Sequence, residues 1–171
     1  PDERRVAVSR TNPDNTPNWD VWLLDVRRNT STRFTHDQVR AKFAVWSADG
    51  SSVIFGSIRD GASNLYLKSA SGAGNEQLLL TSTGDNSVNS SSRDGRFLLY
   101  TEENPETKSD LWLLPLNGDR KPVPFLSTEF NERSGQFSPD GHWIAYTSDE
   151  SGRDEIYIRE FSSGSAQGSG N

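Results

Sequence analysis

Residues 138–146 read Ser-Pro-Asp-Gly-His-Trp-Ile-Ala-Tyr, and versions of the first four residues recur along the chain at nearly constant spacing. The earlier copies are Ser92-Arg93-Asp94-Gly95, Ser47-Ala48-Asp49-Gly50 and the shorter Pro1-Asp2-Glu3. Their aspartates lie 47, 45 and 46 residues apart. The sequence therefore repeats one structural unit four times.

Bulky aromatic residues in apolar segments recur with the same period. They lie 44, 46 and 45 residues apart and are Trp22, Tyr66, Trp112 and Tyr157. A period of roughly 40–50 residues with several short strands is typical of a β-propeller. Since large rings bury on the order of 150–250 Å² each, we expect these four to fill the space between neighbouring blades.

The second repeat contains four short apolar segments that are separated by turn residues. They are Phe43–Trp46, Val53–Gly56, Asn64–Leu67 and Gln77–Leu80. This pattern predicts a four-stranded antiparallel meander with strands a to d in chain order. The other repeats follow it, except that the first lacks strand a and the fourth lacks strand d. We therefore expect an all-β chain of about 14 strands, roughly three and a half to four propeller blades and hence a partial propeller.

The predicted strands place the blades near residues 1–35, 36–81, 82–127 and 128–161. The Ser/Gly-rich residues 162–171 should form a flexible tail. Because the chain begins inside a repeat and without methionine, we expect a mature product or an excised piece of a longer protein. Unpaired strand edges are a liability, so we expect remaining chain or a second copy to complete the ring.

The repeated Ser-x-Asp-Gly motif falls at the turn between strands a and b. Aspartate accepts hydrogen bonds from the backbone N–H groups just ahead of it, and glycine supplies the positive φ that a tight turn needs. The serine hydroxyl adds a local bond of the same kind. We interpret the following residues as a structural turn motif: Asp2, Ser47, Asp49, Gly50, Ser92, Asp94, Gly95, Ser138, Asp140 and Gly141.

Residues 138–158 resemble the WD-like propeller repeat of TolB-type proteins, and residues 47–67 and 92–114 are similar to it. Residues 110–116 and 130–132 resemble bacterial propellers that accompany serine/threonine protein kinase domains. The resemblance implies a ring of six to eight blades that usually serves as a protein-binding scaffold. It also implies a periplasmic or otherwise extracytoplasmic location, with a cytoplasmic one left open.

Composition argues against several classes of partner. The formal net charge is −6 and the 18 basic residues are scattered, so no basic stripe for nucleic acid is present in the sequence. No apolar stretch approaches the ~18 residues that a membrane span needs. Cysteine is absent, which excludes disulfides and thiolate metal sites.

The sequence offers no clear catalytic or cofactor site. It lacks a Gly-x-Ser-x-Gly elbow and a glycine-rich phosphate loop, and its two histidines, His36 and His142, fall in predicted turns. Acidic and polar residues are spaced like a calcium loop at Asp14, Thr16, Asn18, Asp20 and Asp25. Trp19 stands where that loop needs glycine, so we interpret the segment as a polar loop. We expect no enzyme activity, metal or cofactor in these residues.

Loops at the ends of propeller blades commonly carry the binding residues. We therefore expect a non-catalytic module that binds a protein or peptide through these candidates: Arg40, Arg59, Asp60, Glu102, Glu103, Asn131, Glu132, Asp149 and Arg153. One alternative is the propeller part of a larger enzyme, such as a prolyl-oligopeptidase-type serine peptidase or a bacterial serine/threonine kinase. Another is the binding of a small ligand or glycan in the central channel.

Overall fold

A computed structural model describes residues 4–11, 19–36, 40–59, 61–82 and 84–162. Within those ranges the chain forms fourteen β-strands and no helix. The strands are β1 Arg5–Thr11, β2 Trp19–Asp25, β3 Thr30–Arg33, β4 Arg40–Trp46, β5 Ser52–Arg59, β6 Ala62–Ser69, β7 Gln77–Leu80, β8 Asn86–Ser91, β9 Phe97–Asn104, β10 Lys108–Pro115, β11 Val123–Leu126, β12 Arg133–Phe137, β13 Trp143–Ser148 and β14 Glu155–Glu160.

Consecutive strands pair antiparallel into four meander sheets. The first sheet contains β1–β3, the second β4–β7, the third β8–β11 and the fourth β12–β14. The first and fourth sheets have three strands each, because among the described residues no counterpart of β4 precedes β1 and no counterpart of β7 follows β14. The expected all-β architecture is confirmed in the described residues. The chain divides into two compact units, residues 1–88 and 89–171.

The first hairpin of the third sheet is closed by a serine hydroxyl. Ser92 Oγ donates to Asp94 Oδ1 at 2.6 Å and accepts from the backbone N–H of Phe97 at 2.9 Å. Asp94 Oδ1 also accepts from the N–H of Arg96 at 3.0 Å. Gly95 has a φ of 69°, which a glycine adopts without steric cost. One hydroxyl therefore joins the turn to the start of the next strand.

The second and fourth sheets repeat this turn. The Ser47 hydroxyl accepts from the N–H of Ser52 at 3.0 Å and donates to Asp49 at 2.6 Å. In the fourth sheet the Ser138 hydroxyl accepts from the N–H of Trp143 at 3.0 Å and donates to Asp140. The copy at Asp2 lies outside the described residues.

The turn hydrogen bonds favour ionised aspartates. Donation from Ser47 and from the N–H of Ser51 lowers the pKa of Asp49 to about 2, from an ordinary value of 3.8. Donation from Ser138 likewise lowers the pKa of Asp140. Because the folded-state pKa lies below the unfolded one, the bonds to Asp49 stabilise the fold above about pH 4 and are lost as the pH falls toward 2.

An aromatic pair forms the centre of the core in the first unit. Phe55 on β5 lies directly opposite Tyr66 on β6, and their rings stack with centroids 6.1 Å apart. Val21 and Leu23 from β2 belong to the same buried cluster. The first sheet therefore packs its aliphatic side chains on the rings of the second sheet.

The second unit repeats this packing. Tyr146 on β13 lies opposite Tyr157 on β14, and their rings stack with centroids 5.8 Å apart. Leu111 and Leu113 from β10 lie in the same cluster. The sheets approach closely at Gly135, since a Cβ there would lie 2.6 Å from a methyl carbon of Leu99.

We expect Ser92→Ala to lower the free energy of unfolding by roughly 1–2 kcal/mol, because it leaves the buried N–H of Phe97 without its hydroxyl acceptor. Urea denaturation measures the change. The control is Ser127→Ala at the exposed position that follows β11, which should change stability by less than about 0.5 kcal/mol. Equal losses in the two variants would contradict the role of the turn hydroxyl.

Candidate partner-binding surface

Three loops of the second unit lie at one end of its sheets: residues 105–107, 127–132 and 149–154. Hydrogen bonds tie two of them together, since the backbone N–H and the side-chain amide of Asn131 both donate to Asp149, at 2.9 and 2.6 Å. The N–H of Glu132 donates to the carbonyl of Ser109 on β10 at 2.7 Å. We call this group of loops the loop end, and these hydrogen bonds fasten loop 127–132 to loop 149–154 and to β10.

Glu132 lies beneath the surface of the loop end. Only 2% of the residue is exposed, and one carboxylate oxygen accepts from the hydroxyl of Thr128. Its Oε2 atom, like Oδ1 of the buried Asp110, has no hydrogen-bond partner among the described residues. Burial, followed by the nearby charges of Asp110 and Asp149, raises the pKa of Glu132. Glu132 therefore supports the loop from inside and is not placed to touch a partner.

Charged side chains of both signs project from the loop end into solvent. Arg153 has an 80% exposed side chain and donates to Glu155 Oε1 at 2.9 and 2.7 Å. Asp154 pairs with Arg133 at an exposed position. Hydrogen bonds from Arg153 lower the pKa of Glu155, and those from Asn131 lower the pKa of Asp149. These hydrogen bonds therefore favour the ionised form of both carboxylates.

Four of the candidate loop residues lie in strands instead of loops. Arg40 begins β4, Arg59 ends β5, and Glu102 and Glu103 belong to β9. The loops predicted from the sequence were too long. Each hairpin remains paired beyond its last apolar residue, and the polar residues at the strand ends resemble loop residues in the sequence. The Cα pairs extend to Arg59 opposite Ala62, and to Asn104 opposite Lys108.

Arg59 is engaged within the first unit. Its guanidinium carbon lies 4.0 Å from the ring centroid of Tyr66, and the group forms an ion pair with Glu76. Lys68 Nζ lies 3.5 Å from the same glutamate and donates to the carbonyl of Phe34 at 3.0 Å. The neighbouring candidate Asp60 lies outside the described residues. Arg59 therefore contacts residues of its own unit, Tyr66 and Glu76. No short sequence motif predicts these contacts.

Catalytic and metal-binding geometry is absent from the described part of the chain. There, neither His36 nor His142 donates to or accepts from a serine side chain, and His142 Nδ1 lies 3.6 Å from Asp140 at an exposed turn. The same ranges hold no group of three or more metal-ligating side chains. The calcium-like residues 14–18 lie outside them. Asp20 is buried in β2, where it accepts from Thr35 at 2.8 Å and pairs with Arg33 at 2.7 Å.

We expect Glu132→Gln to raise the melting temperature at pH 7 by about 2–4 °C, equivalent to roughly 1 kcal/mol. The folded-state pKa of Glu132 lies above the ordinary value of 4.5, so the buried carboxylate costs stability once the pH exceeds that value. Near pH 4 the wild-type carboxyl is protonated and the gain should disappear. Thermal melts from pH 4 to 8 measure it.

The exposed Glu129→Gln in the same loop is the matched control and should show no such pH-dependent gain. A stability difference for Glu132→Gln that is the same at pH 4 and pH 7, or a loss at pH 7, would contradict a raised pKa.

No protein-family model matches this chain. None of the segments that the structure describes forms a long apolar helix of the kind that crosses a lipid bilayer.

Three solved structures illustrate what the fold is similar to. TolB from Acinetobacter baumannii aligns with a TM-score of 0.74 and 20% identity over 94% of this chain and 40% of its own length. Oligogalacturonate lyase from Vibrio parahaemolyticus aligns with a TM-score of 0.69 and 16% identity over 95% of this chain and 47% of its own.

A prolyl endopeptidase aligns with a TM-score of 0.65 and 13% identity over 92% of this chain and 25% of its own length. This chain therefore spans less than half the length of each of the three structures. At sequence identities this low, structural similarity is evidence for the fold only. The similarity therefore identifies the architecture and not an activity. The chain has the fold of part of a TolB-like β-propeller.

Proposed function

We propose that this chain is a non-catalytic propeller module that binds a protein or an extended peptide through the loop end. The observation that carries the proposal is the pair of hydrogen bonds from Asn131 to Asp149, which fixes loop 127–132 against loop 149–154. Preorganised loops pay less ordering entropy on binding, so a rigid loop surface favours recognition.

The exposed charges of the loop end indicate what kind of partner would fit. Arg153 and Asp154 offer a positive and a negative group side by side, each in an exposed ion pair. Exposed ion pairs contribute little, so a partner exchanges them at small cost. Charges of this kind act mainly on specificity and association rate. We infer a polar partner segment that carries charges of both signs.

The TolB-like fold supports an extracytoplasmic location, which we propose together with the binding role.

A second candidate function is the propeller part of a larger enzyme. The likeness to a prolyl endopeptidase over 92% of this chain favours that candidate. The full open reading frame discriminates between the two, since a peptidase or kinase domain encoded beside these residues would favour the enzyme. Glycan or small-ligand binding remains a third proposal, which a thermal-shift screen tests.

Selection of a displayed random-peptide library on the immobilised protein tests the binding role. The best peptide is then titrated against the wild type and against the charge-swap variant Arg153→Glu/Asp154→Lys, which keeps the net charge. We expect the Kd to rise by about tenfold or more in the variant, since that corresponds to only ~1.4 kcal/mol.

The matched control is Asp119→Lys/Lys121→Glu, a charge swap in the exposed turn between β10 and β11, at the opposite end of the third sheet. The control should bind the peptide as the wild type does. A peptide whose affinity falls in the control and not in the loop-end variant would contradict the proposed surface, as would the absence of any selected peptide.

A further inference from the structure

Four arginines come together at one end of the first sheet. Arg4 precedes β1 and Arg5 begins it, whereas Arg27 and Arg28 lie in the turn between β2 and β3. The backbone joins the two pairs, since the N–H of Val26 donates to the carbonyl of Arg4 at 2.8 Å. Folding therefore assembles basic residues that are scattered in the sequence.

Asp25 fixes the turn that carries two of these arginines. Its Oδ1 atom accepts the N–H of Arg27 at 3.0 Å and that of Arg28 at 2.9 Å. Arg28 itself extends into solvent, with an 83% exposed side chain whose Nε lies 4.0 Å from Asp25 Oδ2. An exposed ion pair of this kind contributes little, so a ligand can replace it at small cost.

The arginines border a groove between the first and second sheets. Its walls are β2 and β3 on one side and residues 70–72, in the turn between β6 and β7, on the other. The groove shares Arg5, Asp25 and Arg28 with a hollow next to it, which the other two arginines complete. Both walls belong to the same unit, so the groove lies between consecutive sheets and not at an end of the given sequence.

Contacts within the unit orient two arginines of the groove. Arg5 donates to the carbonyl of Ala70 at 3.0 Å, and its guanidinium lies 4.9 Å from the ring centroid of Trp46. Arg33, which also lines the groove, pairs with the buried Asp20 at 2.7 Å. Because a guanidinium carries five N–H donors, these contacts hold both groups in place and leave donors for a ligand.

The repeated fold does not require arginines at these positions. The strand register makes Arg5 equivalent to Ser52, Phe97 and Trp143, since each begins its strand opposite the last residue of the next strand. In the second sheet the turn that corresponds to the arginine-bearing one, residues 70–73, has no charged side chain. The positive charge is therefore particular to the first sheet and is not part of the repeat.

We call the groove and its adjoining hollow the arginine groove, after the five arginines that line them: Arg4, Arg5, Arg27, Arg28 and Arg33. We propose that the arginine groove binds an acidic peptide segment. Five of the 18 basic residues lie there beside one carboxylate, Asp25, although the chain carries a formal charge of −6. Guanidinium groups bind carboxylates through paired N–H donors. Because the arginines are spread over two hollows, a ligand with several separate negative charges fits them better than a single ion.

This inference goes beyond the proposed function. The arginine groove belongs to the first unit and the loop end to the second, and the two surfaces share no residue. The partner chemistry also differs, since the loop end offers charges of both signs. Either proposal can therefore fail while the other holds.

Calorimetric titration with an octapeptide of alternating Glu and Ser, blocked at both ends, tests the arginine groove. We expect a Kd below about 1 mM at moderate salt, and at least tenfold weaker binding of the peptide with Gln in place of Glu. Raising the salt from about 0.1 M to 1 M shortens the screening length from roughly 10 Å to 3 Å, so it should weaken binding severalfold.

The variant Arg27→Gln/Arg28→Gln removes two exposed charges from the arginine groove, and we expect it to raise the Kd for the Glu peptide by about tenfold or more. The matched control is Arg120→Gln/Lys121→Gln, which removes the same charge from the turn between β10 and β11. The control should bind as the wild type does. Melting temperatures verify that both variants fold.

Amide NMR locates the bound peptide on the wild type and needs no variant. Addition of the Glu peptide should shift the N–H signals of Thr30, Thr32 and Ser71, which line the groove, more than that of Glu129 in its exposed loop. Shifts that avoid these three residues would overturn the proposal.

Three further outcomes would overturn it. The first is the absence of binding at about 1 mM peptide, and the second is equal binding of the Glu and Gln peptides. The third is an equal loss of affinity in the two double variants, which would reduce the effect to net charge. Inorganic pyrophosphate is the probe for a phosphate ligand, and pyrophosphate that binds more tightly than the Glu peptide would replace the acidic peptide as the assigned ligand.

Discussion

The hydroxyl of one serine in each repeat determines how its first hairpin closes. In the three described turns it donates to an aspartate two residues ahead and accepts the N–H five residues ahead, as in Ser92, Asp94 and Phe97. That bond fixes where the second strand begins. The register that follows places Tyr100 opposite Trp112 in the third sheet and Phe55 opposite Tyr66 in the second. The packing between sheets thus depends on a few local hydrogen bonds.

The same local order determines what the chain offers to a partner. Because the strands are held in register, the loops that join them emerge at fixed positions and are fastened by side chains such as Asn131. Nucleophilic catalysis needs a nucleophile, a base and an orienting group in contact, and the described residues bring no such set together. The repeat therefore presents a charged loop surface, which is the surface that we propose binds a partner.

The sequence predicted the elements that depend on neighbours in the chain. The last strand of the second sheet, β7, begins and ends where the apolar pattern placed it, at 77–80. Turn chemistry and a period-two pattern are local signals, so the strand order followed from them. The ends of β9 and β10 lie beyond the apolar residues of these strands, because their pairing continues through Glu103 and Ser109, whose polar side chains resemble those of a loop.

The candidate site was harder to predict, because it depends on contacts between distant residues. Glu132 resembles an exposed loop acid in the sequence, yet the turn of the chain before β12 buries it beside Asp110. Arg59 forms an ion pair with Glu76, which lies 17 residues further along the chain, and no short sequence motif predicts this pair. Asp149 and Arg153 lie in the 149–154 loop between β13 and β14, and their part in binding stays a prediction. Side-chain partners across a sheet thus escape a local prediction.

Amide hydrogen exchange measured by NMR tests the central claim most directly. If serine hydroxyls close the hairpins, the N–H groups of Ser52, Phe97 and Trp143 should exchange slowly, because each donates to a serine Oγ. Their protection should approach that of the buried strand residue Leu99 and exceed that of Glu129 in its exposed loop. Exchange of all three as fast as Glu129 would contradict the account.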